Sequence, residues 1–390
     1  MKKVGIITKY YNSANYGGLL QAFALAEYLN SCGYNAFQIC FDEKLEKRKY
    51  RLTTAERFRE ASLNEKIGRI NKKISAGIEK KLTRLIVEKK IEEKKKAVTD
   101  FRDAIPHSDK VYSVSALKEL DDAVDCFITG SDRVWSEKSI GDPYYLSFAE
   151  KGKKISYAAS LRTNVLNETQ RSALFESLRS FDAVSVREKE TVGILQSVGI
   201  KNAEWVLDPT FLLPVSKWQT IAESEKPGIE EKYIFCYFLG DDVANRKLAR
   251  KFARAKDLKI VTLPYANDKF CFADLCFADF RDNKVSPPRF LSLIQNAQYV
   301  LTDSFHASVF SLIFHKQFFV FPRRKLEGSG TRIESLVSSL EIEDRFCTAK
   351  ERRNSVYLCS AQDMDYSVIE EKLLNYRNQS KMFLQEAVEK

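Results

Sequence analysis

The 390-residue sequence is poor in the groups from which metal centres and disulfide frameworks are built. Its three histidines, His107, His306 and His315, are too few for the usual imidazole-rich sites, so no metal is expected. Eight cysteines, at 32, 40, 126, 236, 271, 276, 347 and 359, include no CxxC pair, and several lie in apolar runs where a reduced thiol acts as a small hydrophobe. Neither a disulfide scaffold nor a zinc site is expected. No apolar run reaches the roughly 18 residues that cross a bilayer, and residues 4–7 are too short for a secretory core, so the chain is read as cytoplasmic. The GxGxxG dinucleotide fingerprint is missing after the first strand. What is present, 44% hydrophobic and 30% charged residues, suits a folded chain long enough for two or three cores and rules out disorder or collagen-like repetition.

The net charge of +10 sits in one place, because residues 43–98 hold 19 basic and 9 acidic side chains and the rest of the chain balances. Leu63, Ile67, Ile70, Ile74, Ile78, Leu82 and Leu85 recur there at spacings of three and four, the pattern of a long amphipathic helix or helical hairpin with a basic outer face. A solvated helix packed on one domain accounts for this. If the face is functional, aliphatic residues with few aromatics suit an anionic membrane surface, at the inner face of the cell membrane, or a lipid-linked diphosphate. They do not suit stacked bases, and no nucleic acid is expected.

Short β-branched and aromatic runs alternate with helix-period segments, as in α/β architecture. Strands are expected at 4–8, 35–41, 123–129, 154–158, 183–186 and 204–207, then at 232–239, 259–263, 299–302 and 318–321. Prolines and polar residues in 208–227 read as a linker, which puts the boundary near 216. The expected domains are 1–215, with the basic insertion at about 43–98, and 216–390. The polar helix pattern of 366–390 fits either a cap on the second domain or a return to the first.

In open parallel sheets ligands bind beyond the carboxyl ends of strands, where helix N-termini present free N–H groups. After the first strand stand Asn15, Tyr16, Gly17 and Gly18, whose glycines let a ligand approach the backbone unless the segment is an ordinary turn. After 123–129 come Gly130, Ser131, Asp132, Arg133, Val134 and Trp135, a set that suits sugar hydroxyls or forms a helix cap. Arg187, at the end of 183–186, either forks onto a carboxylate or phosphate or makes an exposed ion pair with Glu188 or Glu190. After 299–302, Asp303 or Ser304 is the expected N-cap and His306 falls in the first helical turn. There His306 is either structural or placed for anion binding and acid–base work, with Asp303 fixing its tautomer. Arg332 follows Gly328, Ser329, Gly330 and Thr331 at a helix start, where it closes over an anion or lies on a surface loop.

Taken in order, the motifs Asn15 to Leu25, Gly130 to Trp135, Ser185 to Glu188, Asp208 to Thr210 and Thr302 to His306 resemble those of polysaccharide pyruvyltransferases, over residues 3–345. Gly18 stands where a small or acidic residue is frequent in that family, and Ala307 where glycine often follows the histidine. The resemblance implies two Rossmann-like domains of GT-B type with the site in the cleft between them. It implies transfer of the pyruvyl group of phosphoenolpyruvate onto two hydroxyls of a sugar, in a surface polysaccharide or its lipid-linked precursor, forming a cyclic ketal. It further implies that Arg187 and His306 hold or activate phosphoenolpyruvate. The Asn15 to Gly18 and Ser131-Asp132 loops then shape the acceptor side.

Such a reaction needs cations for the donor's carboxylate and phosphate, a proton for C3 and a base for the attacking hydroxyl. Arg187 and Arg332 supply the cations in this reading, His306 the acid or base, and Asp132 steers the acceptor hydroxyl, with Asp303 and Ser304 at the donor side. No cofactor enters beyond the donor substrate. Two other functions fit the same architecture: a nucleotide-sugar glycosyltransferase, and a non-catalytic adaptor of polysaccharide assembly docking through the basic segment.

Overall fold

The computed structural model describes residues 1–42, 45, 88–135, 143–161, 165–264, 271–282, 285–323, 331–348 and 356–390. Two parallel sheets carry the described chain. The first has six strands, β1 (Lys3–Ile7), β2 (Asn35–Gln38), β3 (Cys126–Thr129), β4 (Lys153–Ala159), β5 (Ala183–Val186) and β6 (Ala203–Trp205), in the order β2-β1-β3-β4-β5-β6. The second has five, β7 (Tyr233–Tyr237), β8 (Lys259–Thr262), β9 (Phe280–Arg281), β10 (Tyr299–Thr302) and β11 (Gln317–Val320), in the order β11-β10-β7-β8-β9. Central strands such as Cys126–Thr129 and Tyr233–Tyr237 are buried at every position, which is why they read as continuous apolar runs rather than alternating ones. All ten expected strands are present. The additional β9 is a two-residue edge, too short to leave a sequence pattern.

Helix α1 (Tyr16–Ser31) is capped by Asn15, whose side chain accepts from the Gly17 amide at 3.0 Å. The basic insertion lies outside the described residues except for Leu45 and its final part, which opens helix α2 (Glu88–Asp103). There Phe101 meets Phe23 of α1 at 5.6 Å, and the Lys94 ammonium lies 5.6 Å from the centre of the Tyr16 ring. Helices α3 (Glu168–Leu178) and α4 (Lys189–Ser197) link β4 to β5 and β5 to β6.

The stretch read as a polar linker contains helix α5 (Val215–Glu223), with Trp218 and Ala222 facing inward. Trp218 donates its indole N–H to the Thr210 carbonyl at 3.0 Å. Four-residue spacing of those two inward positions, not overall polarity, decides that segment.

In the second half follow α6 (Val243–Lys256), α7 (Pro287–Gln295), α8 (Phe305–Ile313), α9 (Thr331–Ser339), the short α10 (Val356–Ser360) and α11 (Tyr366–Glu389). One apolar cluster runs through both halves, including Leu19, Phe211, Trp218, Phe290 and Phe310. The halves are joined by packing as well as by chain, with Tyr16 stacked on Phe290 at 4.9 Å and donating its hydroxyl to the Val285 carbonyl at 2.9 Å.

The last helix, α11, spans both halves: its start is held by the second, where Tyr366 donates to the Ser311 carbonyl at 3.3 Å and Tyr376 to the Ser339 carbonyl at 3.1 Å, and its end returns to the first. Lys2 donates to the carbonyls of Val388 and Glu389 at 2.9 and 3.0 Å, and Ser380 Oγ accepts from the Leu207 amide at 2.9 Å. Burial of Leu384 and Val388 holds that end in place.

Candidate functional site

The carboxyl ends of the two sheets face one another, and the loops leaving β3, β5, β6 and β10 bring their polar side chains to one buried place. Gly130 makes the β3 turn possible, since a Cβ there would lie 1.9 Å from the Tyr157 carbonyl oxygen. Ser131 and Asp132 follow it. Arg187 and Glu188 leave β5, with Glu188 at the N-cap position of α4. Asp208 comes three residues after β6 and starts a short 3-10 turn at Pro209–Phe211, where its Oδ1 accepts from the amide and hydroxyl of Thr210 at 3.1 and 2.8 Å. His306 is the second residue of α8, and Arg332 the second of α9.

Arg187 is the hub, with 2% of its side chain exposed. Its Nη1 donates to Asp208 Oδ2 at 2.9 Å and to Ser131 Oγ at 3.1 Å, its Nη2 to Asp132 Oδ1 at 3.2 Å, and its Nε to Glu188 Oε1 at 3.3 Å. The guanidinium carbon sits 4.2 Å from the centre of the Phe305 ring, a cation–π contact supplied by the other half. Arg332 reaches the same Asp132 oxygen from the second half at 2.7 Å. His306 Nε2 lies 3.6 Å from Asp208 Oδ2, beyond hydrogen-bond range, and is buried without a partner. Arg332 Nε is likewise buried and unpartnered.

Burial raises the Asp132 and Asp208 carboxyls, but the nearby cations outweigh it. Arg332 and Arg187 hold Asp132 well below the usual range, and His306 and Arg187 do the same for Asp208. Glu188 goes the other way. Burial lifts it, and Arg187 and the Ser160 hydroxyl offset only part of the rise. Burial brings Arg332 down to about 10 against the pull of Asp132.

Ser131, Asp132, Arg187, His306 and Arg332, expected from separate motifs, thus stand in one contact network. Arg187 makes no exposed ion pair: its partner Glu188 is buried with it. Gly17 joins by packing, because its bare Cα lies against the His306 ring. Asn15 stays at the cap of α1, and Gly18 touches nothing of the cluster: a Cβ there would meet the Lys9 carbonyl at 3.4 Å, Asn15 Cβ at 3.8 Å and Ser13 Oγ at 3.9 Å. Ser304 is the N-cap residue of α8 but makes no side-chain cap, and its carbonyl accepts from the Ser308 amide and hydroxyl.

The role expected of Asp303 needs correction. It does not bond His306; its two oxygens accept from the amides of Leu239 and Gly240 at 2.7 and 2.8 Å, donors left open where β7 ends. The carboxylate facing His306 is Asp208. Sequence reading placed that residue in the linker, although an Asp-Pro-Thr run directly after a strand is a turn-cap signal. Glu188 and Phe305 were missed as site residues for want of any local signal of burial.

The family model for polysaccharide pyruvyl transferase matches residues 15–324, and the chain belongs to that family. No curated protein matches it significantly in sequence. Among solved structures it is similar to the UDP-N-acetylglucosamine 2-epimerase of Rickettsia bellii, with 11% identity and a TM-score of 0.52 over 100% of this chain and 97% of that one. It is also similar to the UDP-GlcNAc 2-epimerase of Neisseria meningitidis, with 10% identity and a TM-score of 0.50 over 99% of each chain. At such identity the likeness shows the fold alone, the two-domain α/β arrangement of GT-B type. Among the described residues no helix is long and apolar enough to cross a membrane.

Proposed function

We propose that this member of the polysaccharide pyruvyl transferase family uses phosphoenolpyruvate as donor and forms a cyclic ketal on two hydroxyls of a sugar, releasing phosphate. The observation that carries the reading is the meeting of Arg187 and His306 at one oxygen, Asp208 Oδ2, with Arg332 beside them. Arg332 Nε and His306 Nε2 are polar nitrogens buried without partners, next to the start of α8, whose amides favour an anion. In this reading they receive the donor's carboxylate and phosphate, and Arg187, already saturated by Asp132, Glu188 and Asp208, fixes the frame around them.

His306 delivers the proton to C3, and C2 takes on oxocarbenium character. The first hydroxyl adds at C2 and loses its proton to the same imidazole. The C2–O bond to phosphate then breaks, and the second hydroxyl closes the ring as its proton leaves with phosphate. The Gly17 backbone positions the imidazole and Asp208 sets a negative charge beside it, Asp132 steers the acceptor hydroxyl, and the Asn15–Gly17 helix start with Ser131 shapes the acceptor side. Asp303 and Ser304 support the donor side through the β7 loop and the start of α8. A lipid-linked acceptor is the partner best suited to the basic 43–98 segment, which would bring the protein to an anionic membrane surface.

The test is incubation of the purified protein with phosphoenolpyruvate and lipid-linked or nitrophenyl sugars. The reading requires phosphate release and an acceptor heavier by one pyruvate less one water, both lost in His306→Ala. Turnover of a UDP-sugar with none of phosphoenolpyruvate would instead establish a glycosyltransferase. Full function without any turnover, abolished by deleting 43–98, would establish an adaptor.

A further inference from the structure

Three carboxylates surround Arg187, and they are not used alike. Asp208 has both oxygens engaged, Oδ1 by Thr210 and Oδ2 by Ser131 and Arg187. Asp132 Oδ1 takes both guanidiniums. Glu188 places Oε1 within 2.7 Å of Ser160 Oγ, which donates to it, and 3.3 Å of Arg187 Nε, the longest of the guanidinium's hydrogen bonds. Its Oε2 is buried with no partner. An ionised carboxylate with a bare oxygen in the interior is costly, whereas a carboxylic acid tolerates that setting. The charge count agrees. Arg187, Arg332 and the protonated His306 that the reaction requires face Asp132 and Asp208, which leaves one positive charge for an anionic donor, and an ionised Glu188 would cancel it.

We infer that Glu188 is a positioning residue in its neutral form: as an acid it anchors Arg187 through Oε1 and leaves the guanidiniums enough positive charge for a dianionic donor, and its ionisation closes the site to that donor. The donor half of this inference rests on the function proposed above. The groups facing Glu188 are Arg187 from its own loop, Ser160 from the end of β4, Arg332 from α9, and Thr191 in the first turn of α4, whose hydroxyl is also buried and unpartnered. Asp132, Asp208 and His306 lie beyond Arg187, and Lys189 and Glu190 of α4 are exposed to solvent. Burial pushes the Glu188 carboxyl upward, in the direction the geometry requires.

Two measurements on the full chain test it. Infrared spectroscopy at neutral pH should show a protonated-carboxyl stretch that is absent from Glu188→Gln and disappears on alkaline titration. Calorimetric titration with phosphoenolpyruvate should show wild-type affinity falling about tenfold per pH unit above the Glu188 titration, relative to Glu188→Gln, where that dependence is missing. Should Glu188→Gln fail to fold, Ser160→Ala, which removes the hydrogen bond to Oε1, must move both the band's titration and the affinity limb to higher pH. Absence of the band at neutral pH, or identical pH dependence in the two proteins, overturns the inference and leaves the donor reading standing. No binding of phosphoenolpyruvate by wild type at any pH overturns the donor reading and the donor half of this inference, while the band still decides the neutral acid.

Discussion

Gly17 and His306 touch across the two halves of the molecule: a Cβ built on Gly17 would lie 2.1 Å from Nδ1 and 2.4 Å from Cγ of the imidazole. The first turn of α1 is therefore a plate against which the ring rests, and the missing side chain is what lets the ring approach Asp208. An N-terminal glycine from one half sets the position of the buried histidine in the other.

Gly17→Ala should displace the ring. Overpacking of this kind costs about 1–3 kcal/mol of stability. A reacting group moved by about 1 Å loses about 100-fold in turnover. Gly18→Ala, one residue on, makes only ordinary van der Waals contacts at 3.4 Å or beyond and should gain up to about 1 kcal/mol from helix propensity. Thermal unfolding and kcat of the two variants separate these effects, and equal behaviour would refute the contact.

Asp208→Asn leaves Arg187 short of its closest counter-charge and should cost about 3–5 kcal/mol at neutral pH. The sign of the pH dependence follows from the direction of the shift. A carboxyl held below its ordinary range stabilises the fold in full above the unfolded value of about 3.9, and that contribution is lost as pH falls through the folded value. The stability gap between wild type and Asp208→Asn should therefore narrow on acidification. Urea unfolding across a pH series measures it, and a constant gap contradicts the charge network.

Ser380→Ala strips the Leu207 amide of its acceptor, leaving a buried N–H unsatisfied at a cost of about 1–3 kcal/mol. Leu207 precedes Asp208, so kcat should fall together with the unfolding midpoint even though Ser380 sits on the C-terminal helix. A loss of stability with unchanged kcat would show that α11 only buttresses the sheet.

Arg332→Lys replaces a planar fork by a point charge. With Nη1 on Asp132 and Nε unpartnered, the guanidinium is set to serve two anions, which an ammonium cannot do in that geometry. Phosphoenolpyruvate affinity should drop about tenfold or more, roughly the 1.5–3 kcal/mol of a charge-assisted hydrogen bond. Stability should fall less than in Asp208→Asn, because Arg332 has fewer partners than Asp208. Unchanged affinity in calorimetry would remove Arg332 from the donor site.

The strands were legible because each is a short apolar run of β-branched and aromatic residues bounded by polar turns, and burial of both sheet faces leaves that signature in the order of residues itself. The same holds for the start of α8, where Ser304 precedes an apolar helix and puts His306 in the first turn. Local order also marked Arg187, Ser131, Asp132 and Arg332 as strand-end or helix-start residues. What no local pattern encodes is which strand ends meet. Asp303 and Asp208 both follow strands, and only the packing of β10 beside β7 sends the first to the Leu239 and Gly240 amides and leaves the second facing His306. The return of α11 to the first sheet, the burial of Glu188 and the contact of Gly17 with the imidazole were likewise settled by tertiary packing, because proximity between distant segments depends on how apolar faces close over one another and not on neighbours in the chain.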